Sequence, residues 1–422
     1  MTAQAGSWVV FLVLSAAAQA LGSLSLWLIA RPLSVEEFGL FMANWGLAAQ
    51  VAVLAGFGLD TWLLREATRE PLGVALGRAL LTKAFLWVIL LPLIAIVAPA
   101  VRPASYRASL LLLAGIAWSA TTFVNAVASG LQGAKRAELA GALRAGLSSV
   151  ALVFVSVASL MRPSATTFME ARAIAAVVSL ILITATLCQQ KRACIRPTSL
   201  ALCEGMPYVA SDVFAQVCIS GDIVILGLLA DKRAVGVYSP ASALLSFFFF
   251  VPNALYTLLI PYFSRAHSQT RRDVGWVLLA TAIAMATLGA FLGCFLWTSR
   301  TPLIKLVYGP EYIEASQAVA YLSWLLVPRS VSFAMAAYLV GAGQQRARVR
   351  VQALAAGLNL ALNVALIPSL GWRACALAYW ATEILLACGY GYKAAGVLWA
   401  ESQEPLLTHA CTKGPHHQFP LL

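Results

Sequence analysis

Twelve apolar stretches run along the chain, separated by short connections that hold most of its charge. They cover residues 8–30, 38–59, 79–101, 109–131, 139–161 and 168–188, then 207–230, 236–263, 274–297, 319–338, 349–370 and 372–398. A helix rises about 1.5 Å per residue, so stretches of roughly 20 residues cross ~30 Å of hydrocarbon. Backbone amides in lipid must be bonded internally, which makes the helix the default element. Membrane barrels instead show alternating segments of ~10 residues, a pattern not found here. The fold expected is an all-α polytopic membrane protein of about twelve transmembrane helices.

Loop charge sets orientation, because cytoplasmic connections are richer in Lys and Arg. With the amino terminus inside, those connections hold Arg65, Arg69, Arg78, Lys135, Arg136, Lys191, Arg192, Arg196, Arg265, Arg271, Arg272, Arg346, Arg348 and Arg350. The opposite connections hold fewer, so both termini are expected in the cytoplasm. Ala18-Gln19-Ala20 looks like a signal-peptidase site. No Lys or Arg precedes it, however, and the apolar run continues beyond, so it reads as a retained first span.

The two halves look related. Leu33 to Phe41 leads into the second span as Asp231 to Tyr238 leads into the eighth, and Gly133, Arg136 and Ala137 match Gly343, Arg346 and Ala347. Two six-helix bundles follow, residues 1–190 and 207–398, with a cytoplasmic linker at 191–206 and a disordered cytoplasmic tail at 399–422. Matching loops fall on one side, which predicts a parallel repeat about an axis along the membrane normal.

Composition narrows the function. A net charge of +12 invites a nucleic-acid reading, but 61% of residues are hydrophobic and only 11% charged, against roughly a quarter charged in soluble domains. No segment is left to build a nucleic-acid module, and anionic lipid headgroups are the natural counter-charge. The eight cysteines form no CxxC pair, so neither a disulfide framework nor a zinc site is expected. His409, Cys411, His416 and His417 have metal-binding side chains but lie in the tail. Without a phosphate loop, HExxH or GxSxG, an enzyme is disfavoured and no cofactor is expected.

Ionisable groups deep in a span are functional candidates, since burying an unpaired charge in hydrocarbon costs several kcal/mol. Arg329 sits near the middle of the tenth span, beside Pro328. Arg144 and Lys83 lie about one and a half turns from a cytoplasmic edge, where a long side chain either snorkels or lines a cavity. Asp222 and Asp212 fall in the seventh span and Glu383 in the twelfth. Asp222 would suit proton exchange or pairing with Arg329 or Arg144, and Glu383 stands at a depth to pair with Arg329. Asn44, Asn125, Asn359 and Asn363 are polar cavity candidates, with helix contact as their commoner use. The run Phe247 to Phe250 is expected against lipid or a neighbouring helix. Helix-breaking Pro92, Pro207, Pro240, Pro252 and Pro328 can free carbonyls near a cavity.

Arg31-Pro32-Leu33-Ser34-Val35-Glu36-Glu37-Phe38-Gly39, followed by Gly58-Leu59-Asp60 and Arg65, resembles the opening of the Wzx-type polysaccharide-biosynthesis flippases of the multidrug/oligosaccharidyl-lipid/polysaccharide (MOP) superfamily. Asp222 to Gly227 with Val235 to Tyr238, Tyr308 to Tyr312, and Asn359 to Pro368 are similar to that family's second half. The resemblance implies a V-shaped pair of bundles around a central cavity, working by alternating access on an undecaprenyl-diphosphate-linked oligosaccharide. It implies cavity cations, Arg31 and Arg65 by motif and Arg144 and Arg329 by depth, with H+ or Na+ coupling open. A bacterial inner-membrane location follows, with membrane lipids around it and a polysaccharide polymerase and chain-length regulator as partner proteins. Two rivals stand beside it: a cation-coupled multidrug exporter of the same superfamily, and a membrane-embedded polymerase or ligase.

Overall fold

The computed structural model describes residues 2–67, 70–102, 104–134, 136–161, 163–189, 199–269 and 274–403. The first half contributes α1 (Thr2–Ala30), α2 (Val35–Gly56), a short α3 (Leu59–Glu66), α4 (Leu72–Val101), α5 (Ala108–Gly133), α6 (Ala137–Leu160) and α7 (Ala165–Gln189). The second contributes α8 (Leu202–Leu229), α9 (Lys232–Phe248), α10 (Phe250–Gln269), α11 (Val274–Val307), α12 (Ala315–Ser323), α13 (Leu326–Gly341), α14 (Gln345–Leu370) and α15 (Trp372–Gln403). The stretch read as linker is partly helical, since α8 starts at Leu202, and α15 runs past residue 398 to Gln403. The candidate metal-binding side chains of the tail lie outside the described residues.

Among the described residues, ten helical runs are long and apolar enough to cross a membrane, α9 and α10 counting as one. An eleventh is the pair α12 and α13, bent by 43°. Among the described residues ten or eleven spans thus stand where twelve are expected. The expected twelfth, α15, has 32 residues, but with Arg373, Glu383 and Lys393 along it no stretch is apolar enough to count. Of the five prolines read as helix-breaking, two sit at breaks, whereas Pro92, Pro207 and Pro240 lie inside continuous helices. Pro252 and Pro328 are the third residues of α10 and α13. Each lacks the N–H that would bond the carbonyl four residues back and clashes with it, so the helix stops one turn earlier.

Helices α1 to α7 pack on one another, as do α9 to α15. Large apolar side chains such as Val88, Ile96, Leu160, Phe291 and Trp276 point outward, while Lys83, Asp222 and Glu383 are buried. This inversion suits a molecule whose surroundings are oil. Helix α8 is the shared wall. Its first turns lean on the first bundle, where a Cβ on Gly205 would lie 2.3 Å from the Phe57 carbonyl. Ala201 N–H also donates to Thr82 Oγ1 (2.8 Å), and Arg78 pairs with Glu204.

One end of the molecule is sealed by a near-symmetric contact. Ser34 and Asp231 each cap a helix, accepting bonds from the N–H groups of Glu37 (3.3 Å) and Ala234 (2.7 Å), and so fix where α2 and α9 begin. Five residues on from each cap stand Gly39 and Gly236, and there the helices touch backbone to backbone. A Cβ on Gly39 would lie 1.8 Å from the Lys232 carbonyl, and one on Gly236 would lie 1.9 Å from that of Val35. Two tyrosines cross the seam in opposite senses. Tyr312 Oη donates to the carbonyls at the end of α1, at Ala30 and Leu33 (both 2.9 Å). Tyr106 Oη donates to Val224 of α8 (3.0 Å). Arg233 bridges Glu36 (3.2 Å) and Glu314 (3.1 Å) on the exposed rim.

Candidate functional site

Three chambers meet along α8, and Ile219 lines all of them. The first, about 330 Å³, lies in the second bundle between the two proline breaks. Arg329 enters it from α13 and donates to Glu383 Oε1 of α15 at 2.5 Å. The Glu383 side chain is fully buried and that of Arg329 is 13% exposed. The guanidinium also lies over the rings of Phe249 (5.2 Å) and Phe333 (4.9 Å). Phe249 and Phe250 thus line the chamber, where the sequence reading sets them against lipid or a neighbouring helix. Glu383 neutralises Arg329, although Arg329 Nε and Glu383 Oε2 have no hydrogen-bond partner. Asn253, Arg348 and Gln352 complete its polar wall.

The second chamber, about 310 Å³, lies between the first bundle and α8 and is acidic. Asp60, Asp212, Asn125 and Gln216 line it. Lys83 does not snorkel: its side chain is fully buried, and Nζ donates to Asp60 Oδ1 (2.6 Å) and the Thr122 carbonyl (3.0 Å). Asp60, at 38% side-chain exposure, keeps contact with water. The partners are therefore unequal. Asp60→Ala strands a buried ammonium and should cost ~3–5 kcal/mol, whereas Lys83→Met leaves a carboxylate that rehydrates and should cost well under half of that. Thermal unfolding of the two variants in detergent checks this order.

The third chamber, about 250 Å³, lies between the bundles, walled by α1, α2 and α7 on one side and α8 and α9 on the other. Its only charged lining residue among those described is Arg172, whose guanidinium lies 4.7 Å over the Trp45 ring. Sequence reasoning missed it. The predicted span starts at 168, which makes Arg172 an edge residue, whereas α7 starts at Ala165. Counted from the true helix start, Arg172 stands seven residues, about two turns, inside the helix.

The other candidates are scattered. Arg31 is exposed on the turn after α1 at the sealed end, and the Arg65 side chain lies outside the described residues. Arg144 packs over the Phe11 ring (5.6 Å) and lines none of the three chambers. Asp222 meets neither Arg329 nor Arg144, because it accepts from the Tyr238 hydroxyl and from Ile223 N–H (2.8 Å). Asn44 is a clamp, not a cavity residue, bonding the Leu40 and Ser105 carbonyls (2.7 and 3.0 Å) and Arg107 N–H (3.2 Å). Asn359 bonds Thr382 (3.0 Å), and Asn363 bonds Asn359 (2.9 Å). Asn359 thus ties α14 to α15, while Asn363 bonds within α14 and buttresses it.

Two helix bundles meeting around charged, solvent-sized chambers are an arrangement shared with solved structures of MOP-superfamily transporters. A family profile described as "Polysaccharide biosynthesis protein" matches residues 5–267, and one described as MatE matches residues 207–365. The chain belongs to the polysaccharide biosynthesis protein family. No curated protein sequence matches it. Among solved structures, it is similar to an inward-facing multidrug resistance MATE transporter, at 14% identity and TM-score 0.72, over 94% of this chain and 99% of the other. It is likewise similar to the lipid II flippase MurJ in an inward closed conformation, at 13% identity and TM-score 0.71, over 92% and 87%. A MOP-superfamily transporter from Pyrococcus furiosus matches at 14% identity and TM-score 0.61, over 94% and 96%.

Proposed function

We propose that this protein is a flippase that carries an undecaprenyl-diphosphate-linked oligosaccharide repeat unit, of O-antigen, capsule or exopolysaccharide type, across a bacterial inner membrane. The observation that carries the reading is the pair of arginines, Arg172 and Arg348, that line chambers along one shared wall. A diphosphate and its sugars cannot enter hydrocarbon unaided, and a wet, cation-lined path is the minimum apparatus for moving them. The polyprenyl tail stays in lipid. With both termini cytoplasmic, the sealed end faces outward, and transport requires the Gly39–Gly236 seam to part. Ion coupling, if H+ or Na+ drives the cycle, would run through Asp60 and Asp212, which line a chamber, and not through Asp222, which Tyr238 holds.

That acidic chamber also favours a second reading, a cation-coupled exporter of organic cations. Deleting the gene and extracting lipid-linked oligosaccharides separates the two. Repeat units stranded on the cytoplasmic leaflet are expected for the flippase. Unchanged pools with altered dye resistance would replace it by the exporter, and accumulation on the outer leaflet would point to a polymerase.

A further inference from the structure

We infer that Arg172 is the docking point for the phosphate-bearing head of the carried lipid, in the serine-walled chamber between the two bundles. The inference rests on the flippase reading of the same cavity and assigns the part of the substrate that binds there. Among the described residues, Lys83 and Arg329 each have a carboxylate partner, at 2.6 and 2.5 Å, and Arg172 has none. Its Nε is buried without a hydrogen-bond partner, and so is Oγ of Ser239, which lines the same chamber.

A third donor points the same way. Ser220 Oγ accepts from Gln50 Nε2 (3.1 Å) and from Gln216 Nε2 (2.7 Å). With both acceptor positions used, its hydroxyl proton is left to donate. The chamber thus offers several donors and no carboxylate, the complement of a phosphate group, which has acceptors alone. Trp45 lies beneath the guanidinium and is itself packed against Trp118 at 5.0 Å. Such stacking holds the planar fork in one orientation, as bidentate recognition of phosphate oxygens requires.

The location suits a carrier. The third chamber draws on both bundles, so an anion held there depends on their relative position. Gln19 and Ser246 line both this chamber and the larger one containing Asn253, Gln352 and the neutralised Arg329. A diphosphate on Arg172 can therefore place its sugars in the uncharged-polar part of the larger chamber.

The test uses the full chain in phosphatidylcholine nanodiscs, titrated with a polyprenyl diphosphate and separately with phosphatidylglycerol, with binding followed by native mass spectrometry. Arg172→Gln should weaken polyprenyl diphosphate at least about tenfold, and Arg172→Lys, which keeps the charge but loses the fork, should fall between. Ser23→Asp, which places a carboxylate in the same chamber and leaves Arg172 intact, should also weaken binding, and it carries the test if Arg172→Gln does not fold. Wild-type binding that neither Arg172→Gln nor Ser23→Asp changes would overturn this assignment and leave the flippase reading standing. No binding of polyprenyl diphosphate by the wild type would remove both. Equal affinity for phosphatidylglycerol would assign the site to bulk lipid and overturn the proposal.

Discussion

Gly39→Ala should abolish transport while leaving the protein inserted in the membrane. The added methyl would lie 1.8 Å from the Lys232 carbonyl. That atom is backbone in the first turn of α9 and cannot swing away, so α2 and α9 must separate. Overpacking of this kind costs ~1–3 kcal/mol, and here the cost falls on the sealed state alone. The equilibrium between sealed and open forms should therefore shift roughly 5- to 150-fold toward opening. The measurement is the rate at which a membrane-impermeant thiol reagent, added from outside, labels a cysteine placed at Ser242, in a background with the native cysteines replaced. Gly357→Ala is the control, since a methyl there meets nothing within 4 Å and the residue lines none of the three chambers. Wild-type transport and labelling in Gly39→Ala would mean that the seam is no gate.

Arg329→Ala should fail through folding before it fails through substrate. Removing one partner of a buried ion pair leaves the other charge uncompensated, at ~3–5 kcal/mol, and Glu383 has no exposed surface by which to rehydrate. The single variant should accumulate poorly and unfold at lower temperature. The double variant Arg329→Met with Glu383→Leu removes both charges and should recover most of the loss, because well-packed apolar pairs commonly replace buried ion pairs without penalty. If Arg329 is spent on Glu383, the double variant should also retain transport. A stable but inactive double variant would show instead that the guanidinium reaches the substrate despite its partner.

Much of the architecture is written in local chemistry. Oily runs of spanning length give the helices, Ser34 and Asp231 mark equivalent starts in the two halves, and Pro252 and Pro328 break the helices at equivalent points beside the larger chamber. Depth along a helix also picks out Arg329 and Glu383 correctly as neighbours. The same reasoning errs on the pairing of Asp222, which turns to Tyr238, and leaves open the place of Lys83, which reaches Asp60. It passes over Asp60, whose position at the start of the short α3 gives no periodic signal.

The division follows from what one-dimensional information contains. Residue number multiplied by helical rise gives a height in the membrane, and hydrophobic content gives the medium, so the sequence by itself determined an all-helical membrane protein and the family it resembles. Which way a side chain points around its helix axis, and which helix stands opposite, depend on how the helices pack together. Only the tertiary structure decided that Arg329 is neutralised, that Gly39 meets Gly236 across the seam, and that Arg172 faces a chamber without an acid. A buried charge takes its meaning from its nearest neighbours, and in this fold those neighbours lie tens to hundreds of residues away in the chain.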